Sequence, residues 1–460
     1  FTAEMGGARV VEATFAGGAA KVTVAGQAPK ELQTSAVAVI ENAVWHHFIF
    51  LLEQYDAARG GKQSFTALLP SQATEFSLEV ERVESRTFTT KGEQVAVEQY
   101  RATTSQNLVL ELWADPATRT PLLLRIPAQN ARVVRKGWEW LADALAPKAA
   151  TNASAESEHF SSEEVEFRNG DVTLAATLTV PKKGSAPHPA AVIITGSGGQ
   201  DRDGTAVFNI YRHVAEALSE AGVAVLRADD RGMGKSRMPQ LRAVSYTELA
   251  GDTRAAVEYL LTRPDIDRKR IALVGHSEGA QTALTIAADD PRVAAVALLA
   301  GTSRSLDHVV VEQSLYMVAL QETVDASDRG KFSQVARGII ELFDEVKTKP
   351  RPASGEDKLA WFRDHAASDP KALAARVRVP TIILNGERDA NVLPYHAVEL
   401  AEAMTRAGNK NVRLRIFPNL SHMFTPSTLD LSVKPDAAAV VDKGFLETLR
   451  RWAVEVLVGK

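Results

Sequence analysis

One short segment of the 460-residue chain combines a serine with the neighbours that would make it reactive. The apolar run 271–274 leads into residues 275–279, whose sequence is G-H-S-E-G, and small residues follow at once. This pattern predicts a buried strand, a turn that tolerates only small side chains, and a helix, with Ser277 in a strained conformation and its hydroxyl exposed. The helix N-terminus would also direct backbone N–H groups at a reacting carbonyl. We therefore expect Ser277 to be a nucleophile.

A serine hydroxyl is a poor nucleophile unless a base takes its proton, so the chain must also supply a histidine. His422 follows the last predicted strand, and Asp389 lies just beyond the carboxyl end of the strand before it, where active-site groups gather in open α/β sheets. With Ser277 they stand in the chain order serine, acid, histidine that this strand–turn–helix pattern requires. Glu387 is the alternative acid, although its neighbour Arg388 offers it a surface ion pair. We predict His422 as the general base and Asp389 as the acid that orients it.

A glycine-rich segment, residues 196–199 with the sequence G-S-G-G, follows a further predicted strand. Glycines would let this backbone approach a substrate closely. The oxyanion of a tetrahedral intermediate needs N–H donors, and we predict those of Glu278 and Ser197, with Gly198 as the alternative to Ser197. A phosphate-binding loop is the competing interpretation, but the Lys-Ser/Thr ending and the G-x-G-x-x-G spacing are both missing.

Composition excludes several other kinds of site. The chain contains no cysteine, which excludes disulfides, thiolate metal sites and a cysteine nucleophile, and we predict no metal or cofactor. A net charge of −4 without a basic run argues against a nucleic-acid partner. No apolar run reaches the length of a membrane span. Because position 1 is Phe, we expect a trimmed or processed chain: either a protein exported after loss of a signal peptide, periplasmic or secreted, or a cytoplasmic one.

Two regions of the chain differ in their hydrophobic pattern, and 460 residues exceed what one compact core usually holds. Residues 1–147 alternate at period two in several places and are predicted to form a smaller, mainly antiparallel α+β domain, with its clearest helix at 34–58. Residues 148–162 are small and polar and are predicted to be a linker. In residues 163–460, short apolar runs alternate with helical patterns, which predicts an α/β domain with a mostly parallel central sheet.

The segment 302–377 separates two predicted strands and is far longer than an ordinary connection. Its apolar residues recur at helical spacing, so we predict a helical cap inserted into the α/β domain. The segment leaves the sheet at the edge where Ser277 and His422 are expected, and we therefore predict that Tyr316 and Met317 bind substrate. The alternative is that these side chains only cover the sheet.

With these motifs located, residues 163–460 resemble the α/β-hydrolase superfamily. Within it they resemble bacterial carboxylesterases of the EstD type, which are relatives of dienelactone hydrolases and of prolyl-oligopeptidase-like catalytic domains. The resemblance is carried by 196–204, by 229–236 (D-D-R-G-M-G-K-S), by 275–279, and by the segments around Asp389 and His422. Thr195 stands where this family usually has a histidine, and residues 1–147 are too few for a β-propeller of ordinary size.

The resemblance implies an α/β-hydrolase fold and hydrolysis of carboxylic esters through an acyl-enzyme on Ser277, with a small-molecule ester as substrate and without a cofactor. The same three residues could serve an aminopeptidase or a thioesterase, and analogy of fold does not separate these activities. A different class of function is also open, a lipid- or glycan-binding protein with a vestigial hydrolase domain. The sequence makes no prediction of the oligomeric state.

Overall fold

A computed structural model describes most of the chain. The described residues are 2–5, 8–16, 18–24, 29–40, 47–70, 73–90, 92–104, 109–126, 131–145, 157–239, 242–322, 329–352, 357, 359–428 and 439–459. The chain divides into two compact units, Phe1–Asn152 and Ala153–Lys460. Residues 148–156 of the predicted linker 148–162 lie outside the described residues. The last three residues of the linker already belong to a strand that begins at Phe160, so the second unit starts earlier than predicted.

In its described residues, the first unit contains two sheets, and nearly all of their strand pairs are antiparallel. The four-stranded sheet has the order β1-β2-β3-β4, and the seven-stranded sheet has the order β11-β10-β9-β8-β7-β6-β5. The strands are β1 (Thr2–Met5), β2 (Ala8–Ala16), β3 (Ala19–Val24), β4 (Lys30–Gln33), β5 (Ala38–Val39), β6 (Lys62–Leu69), β7 (Thr74–Thr90), β8 (Glu93–Thr104), β9 (Val109–Ala114), β10 (Pro121–Ile126) and β11 (Ala131–Val134). The described helices of this unit are α1 (Phe48–Gln54) and α2 (Glu139–Ala144).

The helix predicted at 34–58 is wrong over part of its length. Ala38 and Val39 form β5, which pairs in parallel with Ala67 and Leu68 of β6. Among the described residues of this region, the helix α1 spans Phe48–Gln54. A short apolar run can be buried as a strand as well as on a helix. The pattern alone did not distinguish the two here, because the strand that pairs with this run lies far away in the sequence.

The second unit is built on one eight-stranded sheet of order β12-β13-β15-β14-β16-β17-β18-β19. The strands are β12 (Phe160–Asn169), β13 (Val172–Pro181), β14 (His188–Ile194), β15 (Ala224–Ala228), β16 (Ile266–His276), β17 (Val293–Leu299), β18 (Thr381–Gly386) and β19 (Val412–Phe417). The helices are α3 (Ile210–Glu220), α4 (Tyr246–Thr262), α5 (Glu278–Ala287), α6 (Leu306–Glu322), α7 (Arg329–Thr348), α8 (Ala360–Ala366), α9 (Pro370–Ala374), α10 (Tyr395–Arg406) and α11 (Lys443–Ala453), and α11 leads into a π-helical turn, Val454–Val458.

The sheet is parallel from β15 to β19, and its central strands are buried on both faces. In β16, Ile271 and Leu273 belong to one apolar cluster, whereas Ala272 and Val274 belong to the cluster on the opposite face. Helices therefore have to cover both faces, which explains why these strands are continuous apolar runs. The predicted α/β domain with a mostly parallel sheet is confirmed.

The order of strands reverses beside β14, which lies between β15 and β16 although it precedes both in the chain. Ile193 of β14 pairs in parallel with Val274 of β16, so the carboxyl ends of the two strands emerge side by side. Loops that leave a sheet at such a switch point line the crevice where ligands bind. The insertion between β17 and β18 is helical in its described part and contains α6, α7, α8 and α9. No helix in the described part of the chain is long and apolar enough to cross a membrane.

Candidate active site

Ser277 occupies a sharp turn between β16 and α5. Its backbone has φ 55° and ψ −117°, a conformation that costs energy for any residue with a side chain. A Cβ atom at Gly275 would lie 2.1 Å from the carbonyl oxygen of Gly279, and one at Gly279 would lie 2.3 Å from the carbonyl oxygen of Ile194. Neither glycine can carry a side chain without moving the backbone, so the G-x-S-x-G spacing follows directly from this turn.

His422 and Asp389 form a buried pair at the carboxyl edge of the sheet. Asp389, in the turn after β18, is 1% exposed, and His422, in the loop after β19, is 7% exposed. The His422 Nδ1 lies 2.8 Å from Asp389 Oδ2, while Asp389 Oδ1 accepts hydrogen bonds from the backbone N–H groups of Asn391 (2.8 Å) and Val392 (2.7 Å). These two donors hold the Asp389 side chain in place, and its other oxygen fixes the orientation of the His422 ring.

The hydroxyl of Ser277 has no hydrogen-bond partner within the described part of the chain. Catalytic hydrogen bonds of this type are often long in a free enzyme and shorten when substrate is bound. The strand that ends in the serine turn nevertheless lies close to the loop that carries His422. His276 directly precedes Ser277, and its ring centroid lies 4.8 Å from that of His422.

Glu387, the alternative acid, lies on the surface. It is exposed, and its Oε2 accepts a hydrogen bond of 3.0 Å from the backbone N–H of Asn419. Arg388 donates to the carbonyl of Ser427 rather than forming the expected ion pair with Glu387. Glu387 therefore braces the loop between β19 and His422, and the buried position beside the histidine belongs to Asp389.

His276 is a residue of this site that sequence reasoning missed. It is 2% exposed, and its Nε2 lies 3.1 Å from the backbone carbonyl oxygen of His422. Burial, followed by the nearby His422 ring, lowers the pKa of His276 to about 3. A neutral ring with its proton on Nε2 can donate to that carbonyl, which links the strand before Ser277 to the loop that carries His422. The available signal was its place directly before the serine.

The segment 196–199, hereafter the oxyanion loop, passes next to Ser277. A Cβ atom at Gly196 would lie only 3.3 Å from the Cβ of Ser277, and the Gly196 N–H donates to the Tyr211 hydroxyl at 2.9 Å. Ser197 and Gly198 are exposed, and their N–H groups have no partner among the residues that the structure describes.

The other predicted donor is the backbone N–H of Glu278, the residue directly after Ser277. Glu278 is the first residue of α5, where helical N–H groups lack intrahelical acceptors. The predicted oxyanion donors therefore belong to the loop that passes next to Ser277 and to the residue that follows the serine in the chain, and an acyl-transfer site needs donors close to its nucleophile.

The helical insertion contacts both sides of this site. The Glu278 side chain accepts hydrogen bonds at Oε1 from Trp361 Nε1 and His365 Nε2 of α8, each at 3.0 Å. At the other side, Gln313 of α6 donates to the carbonyl of Asn391, in the turn that carries the acid. The insertion therefore bridges the residue after the serine and the turn after β18.

A cavity of about 710 Å³, within the size range of small-molecule sites, lies next to the segments that flank Ser277, although neither Ser277 nor His422 is among its lining residues. It is bordered by the oxyanion loop, Glu278 and Trp361, and many of its other lining side chains are apolar, including Phe167 and Leu226. Tyr316 and Met317 lie on α6, half-buried, and neither lines this cavity. Their binding of substrate stays a prediction, while Trp361 is a lining residue that sequence reasoning missed although it is an aromatic residue in the same insertion.

Metal binding receives no support from the described residues, in which no group of three or more histidine, aspartate or glutamate side chains is placed to hold an ion. The sheet order, the serine in its strained turn, and the buried histidine–carboxylate pair together define an α/β-hydrolase. The chain belongs to the serine aminopeptidase S33 family, whose family model matches residues 188–426.

Several known proteins are similar to this chain. Esterase EstD from Thermotoga maritima is 30% identical over 299 residues, which cover 63% of this chain and 68% of the esterase. Thiohydrolase apmlB from Arthrinium phaeospermum is 33% identical over 132 residues, 29% of this chain and 40% of its own length. Among solved structures, an esterase of Pyrococcus furiosus aligns over 65% of this chain and 92% of its own, with 17% identity and a TM-score of 0.45.

Proposed function

We propose that the protein hydrolyses carboxylic esters through an acyl-enzyme intermediate on Ser277. The observation that carries the proposal is the buried His422–Asp389 pair at 2.8 Å, next to a serine held at positive φ. The similarity to the Thermotoga esterase, over about two thirds of that protein, supports an ester as the substrate. A binding protein with a vestigial hydrolase domain would have no need to retain a strained turn together with a buried pair of this type.

The roles of the three residues follow from their positions. The imidazole of His422 accepts the proton of the Ser277 hydroxyl at Nε2 while the serine oxygen attacks the ester carbonyl carbon. Asp389 stabilises the imidazolium that forms, without taking its proton. His422 then protonates the departing alkoxide as the carbon–oxygen bond breaks. Water repeats the cycle and releases the acid.

The negative charge of each tetrahedral intermediate requires hydrogen-bond donors that are in place beforehand. We assign this role to the backbone N–H of Glu278 and to that of Ser197, with Gly198 as the alternative donor of the oxyanion loop. The oxyanion loop passes next to Ser277 and Glu278 follows the serine in the chain, so both donors come from backbone close to the nucleophile.

Labelling and a substrate panel test the proposal together. A fluorophosphonate should label the protein at Ser277. Ser277→Ala should abolish this labelling and should lower kcat on an aryl ester by roughly a thousandfold or more. Ser277→Ala should keep the melting temperature of the wild type, because the change removes one hydroxyl. A variant that retained more than about a tenth of kcat would refute the assignment of Ser277.

The same panel separates the ester proposal from its alternatives. It should contain aryl and alkyl esters, thioesters of matched acyl groups, and aminoacyl amides, because one set of catalytic residues could attack all three. We expect kcat/KM to be highest for esters. A higher kcat/KM for thioesters or for aminoacyl amides would change the proposed substrate class without affecting the assignment of the catalytic residues.

A further inference from the structure

The oxyanion loop is held at both of its ends by one side chain that none of the proposed catalytic steps uses. Asp230 follows β15, and its Oδ1 accepts a hydrogen bond of 2.7 Å from the hydroxyl of Thr195, the residue before the loop. Its Oδ2 accepts one of 2.8 Å from the backbone N–H of Gln200, the residue after the loop. The Asp230 N–H also donates to the Gln200 carbonyl at 3.0 Å.

We propose that Asp230 is a positioning residue, whose carboxylate keeps the oxyanion loop in the conformation that directs its N–H groups at the reacting carbonyl. The inference rests on the proposed function, since it assumes that the loop binds the oxyanion. Asp230 does not touch the reacting atoms. It acts through Thr195 and Gln200.

The two contacts tie the start of the loop to its end through one carboxylate. The four residues between Thr195 and Gln200 include three glycines, so the segment has little conformational preference of its own. Tyr211 adds a second support, because its hydroxyl accepts from the Gly196 N–H and donates to the Gln200 side chain at 2.8 Å. Tyr211 contacts the backbone at the start of the loop and the side chain of Gln200. Asp230 contacts both residues that flank the loop, Thr195 and Gln200.

An ionised carboxylate serves this purpose better than a neutral side chain. Both oxygens of a carboxylate accept hydrogen bonds, and bonds to a charged acceptor are roughly twice as strong as neutral ones. Asparagine has almost the same shape but presents only one accepting oxygen. Protonation of Asp230 has a similar effect, because it removes the charge and turns one oxygen into a donor.

The surroundings of Asp230 make its protonation sensitive to pH near neutrality. Asp230 lines the cavity beside Ser277, together with the carboxylates of Glu278 on α5 and Asp252 on α4 and the guanidinium groups of Arg231 and Arg242. Burial raises the pKa of Asp230 to about 7, and the two carboxylates add to this rise, while the hydrogen bonds from Thr195 and Gln200 oppose it.

This environment has a consequence for the activity. Arg231 donates two hydrogen bonds of 2.7 Å to Asp252 and a further one to the carboxylate of Glu248. Its charge therefore interacts mainly with these two carboxylates rather than with Asp230. As pH falls through about 7, Asp230 takes up a proton and its hold on the loop weakens. His422 must also lose its proton before it can act as a base. Two protonations, rather than one, should therefore suppress kcat/KM on the acid side.

The test uses the full chain with three single variants and the pH dependence of ester hydrolysis. Asp230→Asn should lower kcat by roughly ten- to a hundredfold with little change in KM, because the interaction is felt in the transition state. The slope of log kcat/KM against pH should exceed one over roughly the first one to two pH units below about 7 in the wild type, and it should stay near one in Asp230→Asn. Thr195→Val, which removes one donor to the same carboxylate, should lower kcat in the same direction.

Asp290→Asn is the matched control. Asp290 is a buried carboxylate of the same unit that accepts two hydrogen bonds from the Arg292 side chain, and it does not contact the oxyanion loop. Its loss should lower the melting temperature and leave kcat and the slope unchanged. Combining Thr195→Val with Asp230→Asn should cost little more than Asp230→Asn alone, since both remove the same contact.

The outcomes separate this inference from the proposed function. If Ser277→Ala is inactive while Asp230→Asn keeps the kcat and acid slope of the wild type, Asp230 has no positioning role and the proposed function stands. If Ser277→Ala stays active, the proposed function fails first. Should Asp230→Asn fail to fold, Thr195→Val decides the question, and an unchanged kcat in that variant overturns the inference.

Discussion

Hydrogen bonding and burial distinguish the two carboxylates that follow β18. Asp389 accepts two backbone N–H groups and contacts the His422 ring, whereas Glu387 is exposed and braces a loop. Asp389→Asn should lower kcat by roughly a thousandfold or more, because an amide cannot hold the ring in the tautomer that leaves Nε2 free to accept a proton. Glu387→Gln is the control, and kcat measured on one aryl ester should change less than about threefold. A larger loss from Glu387→Gln would transfer the acid role to that residue.

His276 offers a second prediction about a single residue. His276→Phe should lower kcat by roughly tenfold, because the loop that carries His422 loses a donor and small displacements of a catalytic group are costly. His276→Gln, which restores an N–H donor, should recover most of the activity. The rate of fluorophosphonate labelling should follow the same order.

The pH profile makes this prediction specific. Since its pKa is about 3, His276 stays neutral from about pH 5 to about pH 9, and replacing it should leave the acid limb of the profile in place. A purely structural role would lower the melting temperature of both variants without separating their kcat values, and that result would contradict the positioning role.

The chain pattern identified the catalytic candidates because their context is local. Ser277 is recognised from its two flanking glycines, and Asp389 and His422 from their places after predicted strands. His276 and Asp230 were not recognised because their contacts are made with residues far away in the chain. The partner of His276 is a backbone carbonyl 146 positions later, and Asp230 bonds residues 35 and 30 positions earlier.

At the scale of elements, the insertion between β17 and β18 shows which part of a sequence prediction depends on tertiary contacts. Helical spacing predicted its character, and four helices occupy its described part. The spacing did not indicate which helix contacts the site. Helix α8 does so through Trp361 and His365, and the Asp364 side chain anchors the same helix to Thr247 at the start of α4.

Helix α8 should influence the choice of acyl group. Trp361 lines the cavity beside the serine, so Trp361→Ala should enlarge it and raise kcat/KM for long acyl esters relative to short ones by roughly tenfold. Trp361→Phe keeps most of the ring volume and should leave the ratio near that of the wild type. The measurement is kcat/KM across a series of aryl esters with acyl chains of increasing length.

The same series tests Tyr316 and Met317. If the sequence prediction for them is correct, Tyr316→Ala and Met317→Ala will also shift the ratio of long to short acyl esters without lowering the melting temperature. An unchanged ratio in those variants, combined with a shift in Trp361→Ala, would place the acyl group in the cavity alone. No shift in any of the variants would mean that the insertion is only a cover for the sheet.

For the whole molecule, the sequence predicted two units from a change of hydrophobic period, and the chain divides into two compact units between Asn152 and Ala153. The structure gives each unit its own buried clusters. The clusters of the first unit are built on β2, β3 and β5–β10 with α1 and α2, and those of the second unit on the eight-stranded sheet and its helices. The misplaced helix at 34–58 did not affect this division, because period two recurs along the other strands of the first unit.

Separate cores lead to a prediction about a shortened chain. Every residue assigned a role above lies in the second unit, so Ala153–Lys460 should fold alone and keep kcat on a soluble aryl ester within about twofold of the full chain. Ser277→Ala in the same fragment is the control for contaminating activity. If the first unit captures a lipid or glycan, its removal should raise KM for an ester presented on vesicles or on a polysaccharide and leave KM for the soluble ester unchanged. Equal KM values for both kinds of ester would remove that role, and a fragment that folds but has lost its kcat would show that the first unit contributes to the site itself.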